Sequence, residues 1–208
     1  MKHIYIIGMT GPTGSGKTSV AKIFESRGVP AVVTDDIARQ AVAPGTPAFR
    51  EITSAFGDDV VSADGTLNRA ALGALVFADP DKNRLLCDIT HPLITIEIRK
   101  ILRAFIDAGK RAVLIDAPLL FESNVYKMCD FTFAVLAPLE NRRQRIMTRD
   151  SLTGARADSR LAAQKDDDYY ISRADKVIVN DGTPEELEQK ALELIETIRT
   201  HAGKRGSE

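Results

Sequence analysis

One stretch limits what this chain can fold into more than any other. Gly11-Pro12-Thr13-Gly14-Ser15-Gly16-Lys17-Thr18 fits G-x-x-x-x-G-K-[ST] without a gap or a substitution. Ahead of it, His3-Ile4-Tyr5-Ile6-Ile7-Gly8 is a short β-branched and aromatic run that reads as a buried strand. Behind it, the stretch from Ser19 to Glu25 places Val20, Ile23 and Phe24 on one helical face. Strand, glycine-rich loop, helix is the context in which this pattern binds phosphate rather than merely turning the chain. Glycines let successive N–H groups converge on one anion, and the helix starting near Lys17 aims its positive dipole end at the same point. The Lys17 ammonium reaches β- and γ-phosphates, and the Thr18 hydroxyl is a ligand for Mg²⁺. Gly11, Thr13, Gly14, Ser15, Gly16, Lys17, Thr18 and Ser19 are therefore the expected cradle for ATP.

That cradle has to make its own field, because the 208-residue chain carries a net charge of only −1. Such a balance exerts no general pull on nucleic acid or on an anionic membrane, and neither is expected as a partner. No obligate protein partner is evident. The apolar content of 44% with 27% charged residues suits one globular domain with a proper core. Cys87 and Cys129 lie far apart without metal-ligand spacing, so buried reduced thiols are expected rather than a disulfide. The apolar run after Lys2 is too short for a signal peptide and no segment is long enough to span a bilayer, which points to the cytoplasm.

Four further strands follow by the same reading: Val29–Val33, Arg111–Asp116, Asp130–Leu136 and Lys176–Asn180. The second delivers Thr34-Asp35-Asp36 to a strand end, where ligand chemistry gathers in an open parallel sheet. Asp35 there either takes a proton from a substrate hydroxyl, helps to hold Mg²⁺, or caps the next helix. Asp116 ends the third strand, where an acidic residue serves the metal side of a phosphate site or caps the following turn. Between Asp36 and Lys110 the pattern is helical, with Asn68 as a cap and Pro92 expected to kink or break a long helix near His91. His91 is read as a structural hydrogen-bonding residue or a substrate contact. Thr183-Pro184-Glu185-Glu186 is a capping box that opens an amphipathic last helix, with fraying expected from His201. Lys165-Asp166-Asp167-Asp168 reads as an exposed, uninformative run.

From Pro138 to Arg149 a helix is expected on which Arg142, Arg145 and Arg149 share one face by their spacing. Like charges so placed repel unless an anion sits between them. Either this is a solvated face, or it is a lid that closes over a transferred phosphoryl group, a task suited to the arginine fork.

No Asn-Lys-x-Asp guanine reader and no transporter signature accompany the loop, so a small-molecule kinase is favoured over a switch or a transport ATPase. The motifs then carry a resemblance. Gly8 to Thr18, Asp35-Asp36-Ile37-Ala38-Arg39, His91-Pro92-Leu93-Ile94 and Asp116-Ala117-Pro118-Leu119-Leu120-Phe121-Glu122 together are similar to the dephospho-CoA kinase family. Arg145 to Asp150, Arg160 with Gln164, and Asn180-Asp181-Gly182 continue the likeness in order. The resemblance implies ATP- and Mg²⁺-dependent phosphorylation of the ribose 3′-hydroxyl of dephospho-CoA, the last step of coenzyme A synthesis. It implies Asp35 as general base, with Lys17, Arg145 and Arg149 also catalytic. It puts Arg39, His91, Pro92, Leu119 and Arg160 at the acceptor, Asn180 and Gly182 beside adenine, and Thr18 with Asp116 at the metal. The fold implied is α/β, a P-loop NTPase: a five-stranded parallel sheet flanked by helices, with a helical acceptor-binding insertion and a helical lid. Within a single unit over 1–208, the core takes 1–35, 110–140 and 174–200, the acceptor region 36–109 and the lid 141–173. One departure stands out: family members read Asp-Ala-Asp where this chain has Val33-Thr34-Asp35, so the first aspartate is absent. The rival readings are a kinase for another small acceptor and a protein that binds ATP without transferring phosphate.

Overall fold

The computed structural model describes residues 4–205, so His3 of the expected first strand and the tail beyond 205 lie outside the described residues. The elements run β1 (Tyr5–Thr10), α1 (Lys17–Ser26), β2 (Ala31–Val33), α2 (Thr34–Ala41), α3 (Pro47–Phe56), α4 (Arg69–Ala78) and α5 (Pro80–Asp107). They continue with β3 (Ala112–Asp116), β4 (Phe131–Leu136), α6 (Leu139–Asp150), α7 (Gly154–Ala162), α8 (Asp167–Ile171), β5 (Lys176–Val179) and α9 (Pro184–Arg205). The strands form one parallel sheet in the order β2-β3-β1-β4-β5. Strands buried on both faces read as unbroken apolar runs, which is why β3 and β4 show no alternation.

Register positions the chemistry. Met9 of β1 pairs with Asp116 of β3, and Thr10 pairs with Ala134 of β4, so the C-terminal ends of three adjacent strands lie together where the glycine loop leaves β1. Behind the loop, Phe24 of α1 stacks on Phe133 of β4 with ring centroids 5.5 Å apart. Ile7, Met9, Val20, Leu114, Ala191 and Ile195 complete that core.

The chain divides into two compact units: Met1–Val32 with Phe105–Glu208, and Val33–Ala104. The lid segment thus belongs to the same unit as the sheet, and the helical unit starts before Asp36 and ends inside α5. The helical unit has its own core of Val42, Ala48, Ile52, Val60, Leu67 and Leu72. Thr46 and Asn68 cap α3 and α4 through their side chains, as such residues do at a helix start. A single antiparallel bridge, Val61 with Leu67, lies in this unit.

Two expectations about helices are corrected. Of the kink or break expected at Pro92, the break is absent: α5 continues across it for 28 residues in all. An interior proline costs about 3 kcal/mol, and the packing of Leu86, Ile89 and Leu93 against the helical core on both sides of it offsets that cost. The last helix does not fray at His201 either: His201 Nδ1 lies 2.8 Å from the Tyr5 hydroxyl and its ring meets Phe131 edge-on. The capping box of α9 forms in both directions, Thr183 N to Glu186 Oε2 at 2.8 Å and Glu186 N to Thr183 Oγ1 at 3.2 Å.

Candidate active site

The glycine loop is held from behind. Gly11, Gly14 and Gly16 all have positive φ, at 137°, 77° and 105°. A Cβ at Gly11 would strike the Val135 carbonyl oxygen, and one at Gly16 would strike Asn180 Nδ2. The loop's carbonyls are taken by protein donors. Arg142 Nε reaches Thr13 O at 3.2 Å, and Arg145 reaches Gly14 O at 3.2 Å and Ser15 O at 3.4 Å. Asn180 Nδ2 donates to Ser15 O at 2.8 Å, and Asn180 Oδ1 accepts from Arg145 at 3.3 Å. With these carbonyls turned back, the loop's other face and the N-terminal end of α1 are presented to an anion. Lys17 Nζ lies on the same loop, donating to Gly11 O at 2.7 Å and Pro12 O at 3.1 Å. Thr18 and Ser19 are exposed in the first turn of α1, and Ser15 is buried, its hydroxyl without a hydrogen-bond partner among the described residues.

Beside the loop, Asp116 is buried at the end of β3. The turn after it is pinned by Thr10 Oγ1 donating to Pro118 O at 3.1 Å, which leaves Leu119 exposed. Phe121 in that turn meets Tyr126 and, edge-on, Tyr169 of α8. Gly182 lies past β5, where a Cβ would strike the Glu186 carboxylate.

The lid arginines have separate fates. Arg142 is only 5% exposed; burial lowers its pKa, opposed by the charges of Asp167, 3.6 Å away, and of Tyr170. Tyr170 itself is pushed up to about 12, first by burial and then by Glu122. Arg149 is exposed and pairs with Asp150 at 2.7 Å, and Arg160 reaches the same carboxylate at 2.6 Å. The hydrogen bond from Arg149 is the main cause that holds Asp150 below the usual carboxylate range. Repulsion along the arginine face is therefore relieved by carbonyls and carboxylates of the protein itself. The acidic run after Lys165 is not idle: Asp166 caps α8 through Tyr169 N, and Asp167 faces Arg142.

In the helical unit, Val33 is the N-cap of α2, and its side chain makes no capping hydrogen bond. The capping role considered for Asp35 and Asp36 is thus excluded. Asp36 pairs with Arg39 at 2.8 Å, while Asp35 is exposed in the first turn. His91 is half-buried on α5, and Pro92 beside it is exposed.

A family model for dephospho-CoA kinase matches residues 5–186. The chain belongs to the dephospho-CoA kinase family. The dephospho-CoA kinase of Anaeromyxobacter dehalogenans is 44% identical over 96% of this chain and 95% of its own length. That of Moorella thermoacetica is 41% identical over 95% and 94%. Among solved structures, TT1252 from Thermus thermophilus superposes with a TM-score of 0.80 at 34% identity, covering 94% of this chain and 98% of its own. The dephospho-CoA kinase of Campylobacter jejuni superposes with a TM-score of 0.66 at 26% identity, over 93% and 96%. The reaction of the dephospho-CoA kinase family is ATP-dependent phosphorylation of dephospho-CoA in coenzyme A synthesis.

In this dephospho-CoA kinase family member the bracing of the loop is carried by residues that no motif marks for that task. Asn180, expected beside adenine, has both ends of its amide engaged with the loop and Arg145. Gln164 accepts from the Thr13 amide at 2.7 Å. Neither contact has a local sequence signal, since the partners are 165 and 151 residues apart.

Proposed function

We propose that the chain transfers the γ-phosphoryl group of ATP to the ribose 3′-hydroxyl of dephospho-CoA, releasing coenzyme A and ADP. The observation that carries this reading is the glycine loop itself, whose carbonyls are bound from behind by Arg142, Arg145 and Asn180 so that its donor face is kept for phosphate. Phosphoryl transfer asks a protein mostly for positioning and for positive charge at the transferring group. Loop amides and Lys17 hold the triphosphate, Arg145, Arg149 and Arg160 bring charge from the lid, and the exposed turn at Leu119 serves the acceptor. Asn180 and Gly182 mark the adenine side. Asp35 accepts the proton of the attacking hydroxyl as the new O–P bond forms and the bond to the β-phosphate bridging oxygen breaks, as an aspartate does in other kinases. Arg39 and His91, with Pro92, bind the acceptor.

Mg²⁺ suits the donor set. No cluster of three or more acidic, histidine or cysteine side chains among the described residues makes a cage, and this ion is ordinarily held by one or two protein oxygens together with phosphates. The Thr18 hydroxyl and the Asp116 carboxylate would hold it, where it would supply positive charge to the β- and γ-phosphate oxygens. The cytoplasm is the proposed location, in keeping with two free, half-buried thiols. No helix among the described residues is long and apolar enough to cross a membrane.

The test is mass spectrometry after incubation with ATP, Mg²⁺ and dephospho-CoA, with NMR of the product to fix the position. Gain of one phosphoryl group at the 3′-oxygen, matched by ADP, is expected. Intact ATP binding without product would remove the acceptor assignment. Asp35→Asn should lower kcat by about 100-fold or more with ATP affinity retained; turnover within a few-fold of wild type would remove the base.

A further inference from the structure

Two lid elements meet at Thr13 of the loop, one on each of its backbone polar groups. Arg142 of α6 takes its carbonyl at 3.2 Å, and Gln164, two residues past α7, takes its N–H at 2.7 Å. Gln164 is itself tied to the end of α7, its own N–H donating to Leu161 O at 3.1 Å. Arg160 lies four residues earlier, in the last turn of α7. Resting on the phosphotransfer reading, we propose that Gln164 is a positioning residue that pins the C-terminal end of α7 to the phosphate loop through the Thr13 N–H, and so sets where Arg160 stands.

The rest of the lid is arranged so that this contact can act. On its far side α8 is fixed, because Tyr170 is buried among Ala134 and Leu136 of β4. On its near side α7 packs on α6 through Ile146, Ala157 and Leu161, and the exposed pair Arg143 with Asp158 ties the two helices to each other rather than to the loop. The α7 end thus reaches the phosphate loop through the hydrogen bond from Thr13 N–H to Gln164. The chemistry of the side chain also fits. A neutral carboxamide accepts an N–H without placing negative charge beside a loop that holds a triphosphate, which a carboxylate would do. Because Thr13 is engaged in both directions, the phosphate-facing donors are those from Gly14 onward, and Thr13 serves as the joint between loop and lid.

The experiment compares wild type, Gln164→Met and Gln164→Glu as full chains. Amide hydrogen exchange of Thr13, read by ¹⁵N NMR, should be slow in wild type and in Gln164→Glu, which keeps an acceptor. In Gln164→Met it should quicken by about tenfold or more, the equivalent of one hydrogen bond. The same variant should lose about tenfold in kcat while its dissociation constant for ATP without acceptor stays within about threefold. A Thr13 amide that exchanges at an open-loop rate in wild type overturns the proposal, as does a Gln164→Met kcat within about twofold of wild type. Loss of protection in Gln164→Glu equal to that in Gln164→Met overturns it too. A wild-type protein that protects Thr13 and binds ATP yet yields no phosphorylated product fails the phosphotransfer reading instead, and leaves the joint standing.

Discussion

Gly16 and Asn180 form a pair whose energetics can be worked out in advance. Asn180 is buried, donates to Ser15 O at 2.8 Å and accepts from Arg145 at 3.3 Å. Asn180→Ala removes one neutral hydrogen bond, worth about 1 kcal/mol, and one to a charged group at the weak end of about 1.5 kcal/mol, so a loss near 2.5 kcal/mol is expected. Gly16→Ala costs about 1 kcal/mol or more for a positive φ, and its Cβ falls on Asn180 Nδ2, so the carboxamide has to leave and its bonds go with it. That single substitution should therefore cost about 3.5 kcal/mol. In the double variant the collision is gone and the bonds are already lost, so the total stays near 3.5 kcal/mol instead of the roughly 6 kcal/mol expected of independent sites. Urea unfolding of the four proteins measures the difference. Coupling of about 2.5 kcal/mol is expected; additivity within about 0.5 kcal/mol would refute the claim that Gly16 is glycine because Asn180 occupies that space.

Two further outcomes follow from single residues. Val33 has extended backbone at the N-cap of α2, is 39% exposed, and offers no side-chain acceptor, so Val33→Asp should stabilise the fold by about 1 kcal/mol in urea titrations, and no gain would show that the cap position is not limiting. Burial, aided by Asp130 and Asp175, pushes the Cys129 thiol up to about 12; the raised value makes its contribution to folding whole below about pH 8.5 and steadily lost above it. The urea midpoint should accordingly fall from pH 8 to pH 10 by less in Cys129→Ala than in wild type, and equal slopes would show that another group carries the dependence.

The parts of the fold that were legible in the sequence are those whose cause is local. The glycine loop, the apolar runs of β3 and β4, the Asn68 cap and the Thr183 capping box each draw on residues within a few positions of one another. Pro92 misled because the local cost of proline is fixed while the packing of Leu86, Ile89 and Leu93 that offsets it is not visible along the chain. His201 misled for the same reason, its partners Tyr5 and Phe131 being strand residues far earlier in the sequence. Asp166 and Asp167 read as a solvated charge run, yet one caps a helix and the other faces a buried guanidinium.

The candidate site shows the same division in sharper form. Spacing correctly put Arg142, Arg145 and Arg149 on one helix, but spacing carries no depth, and depth separates them. Arg142, the most buried, is committed to Thr13 O and acts as a brace. Arg145 is half-buried and joins two loop carbonyls to Asn180. Arg149 is exposed and shares Asp150 with Arg160. A guanidinium whose partners are backbone carbonyls in a part-buried setting gives them up less readily than one bound to a solvated carboxylate, where the net worth of the pair is small. For the proposed transfer, Arg149 and Arg160 are therefore the arginines most easily released toward a phosphoryl group, Arg145 lends its charge from its place against the loop, and Arg142 holds the loop in shape.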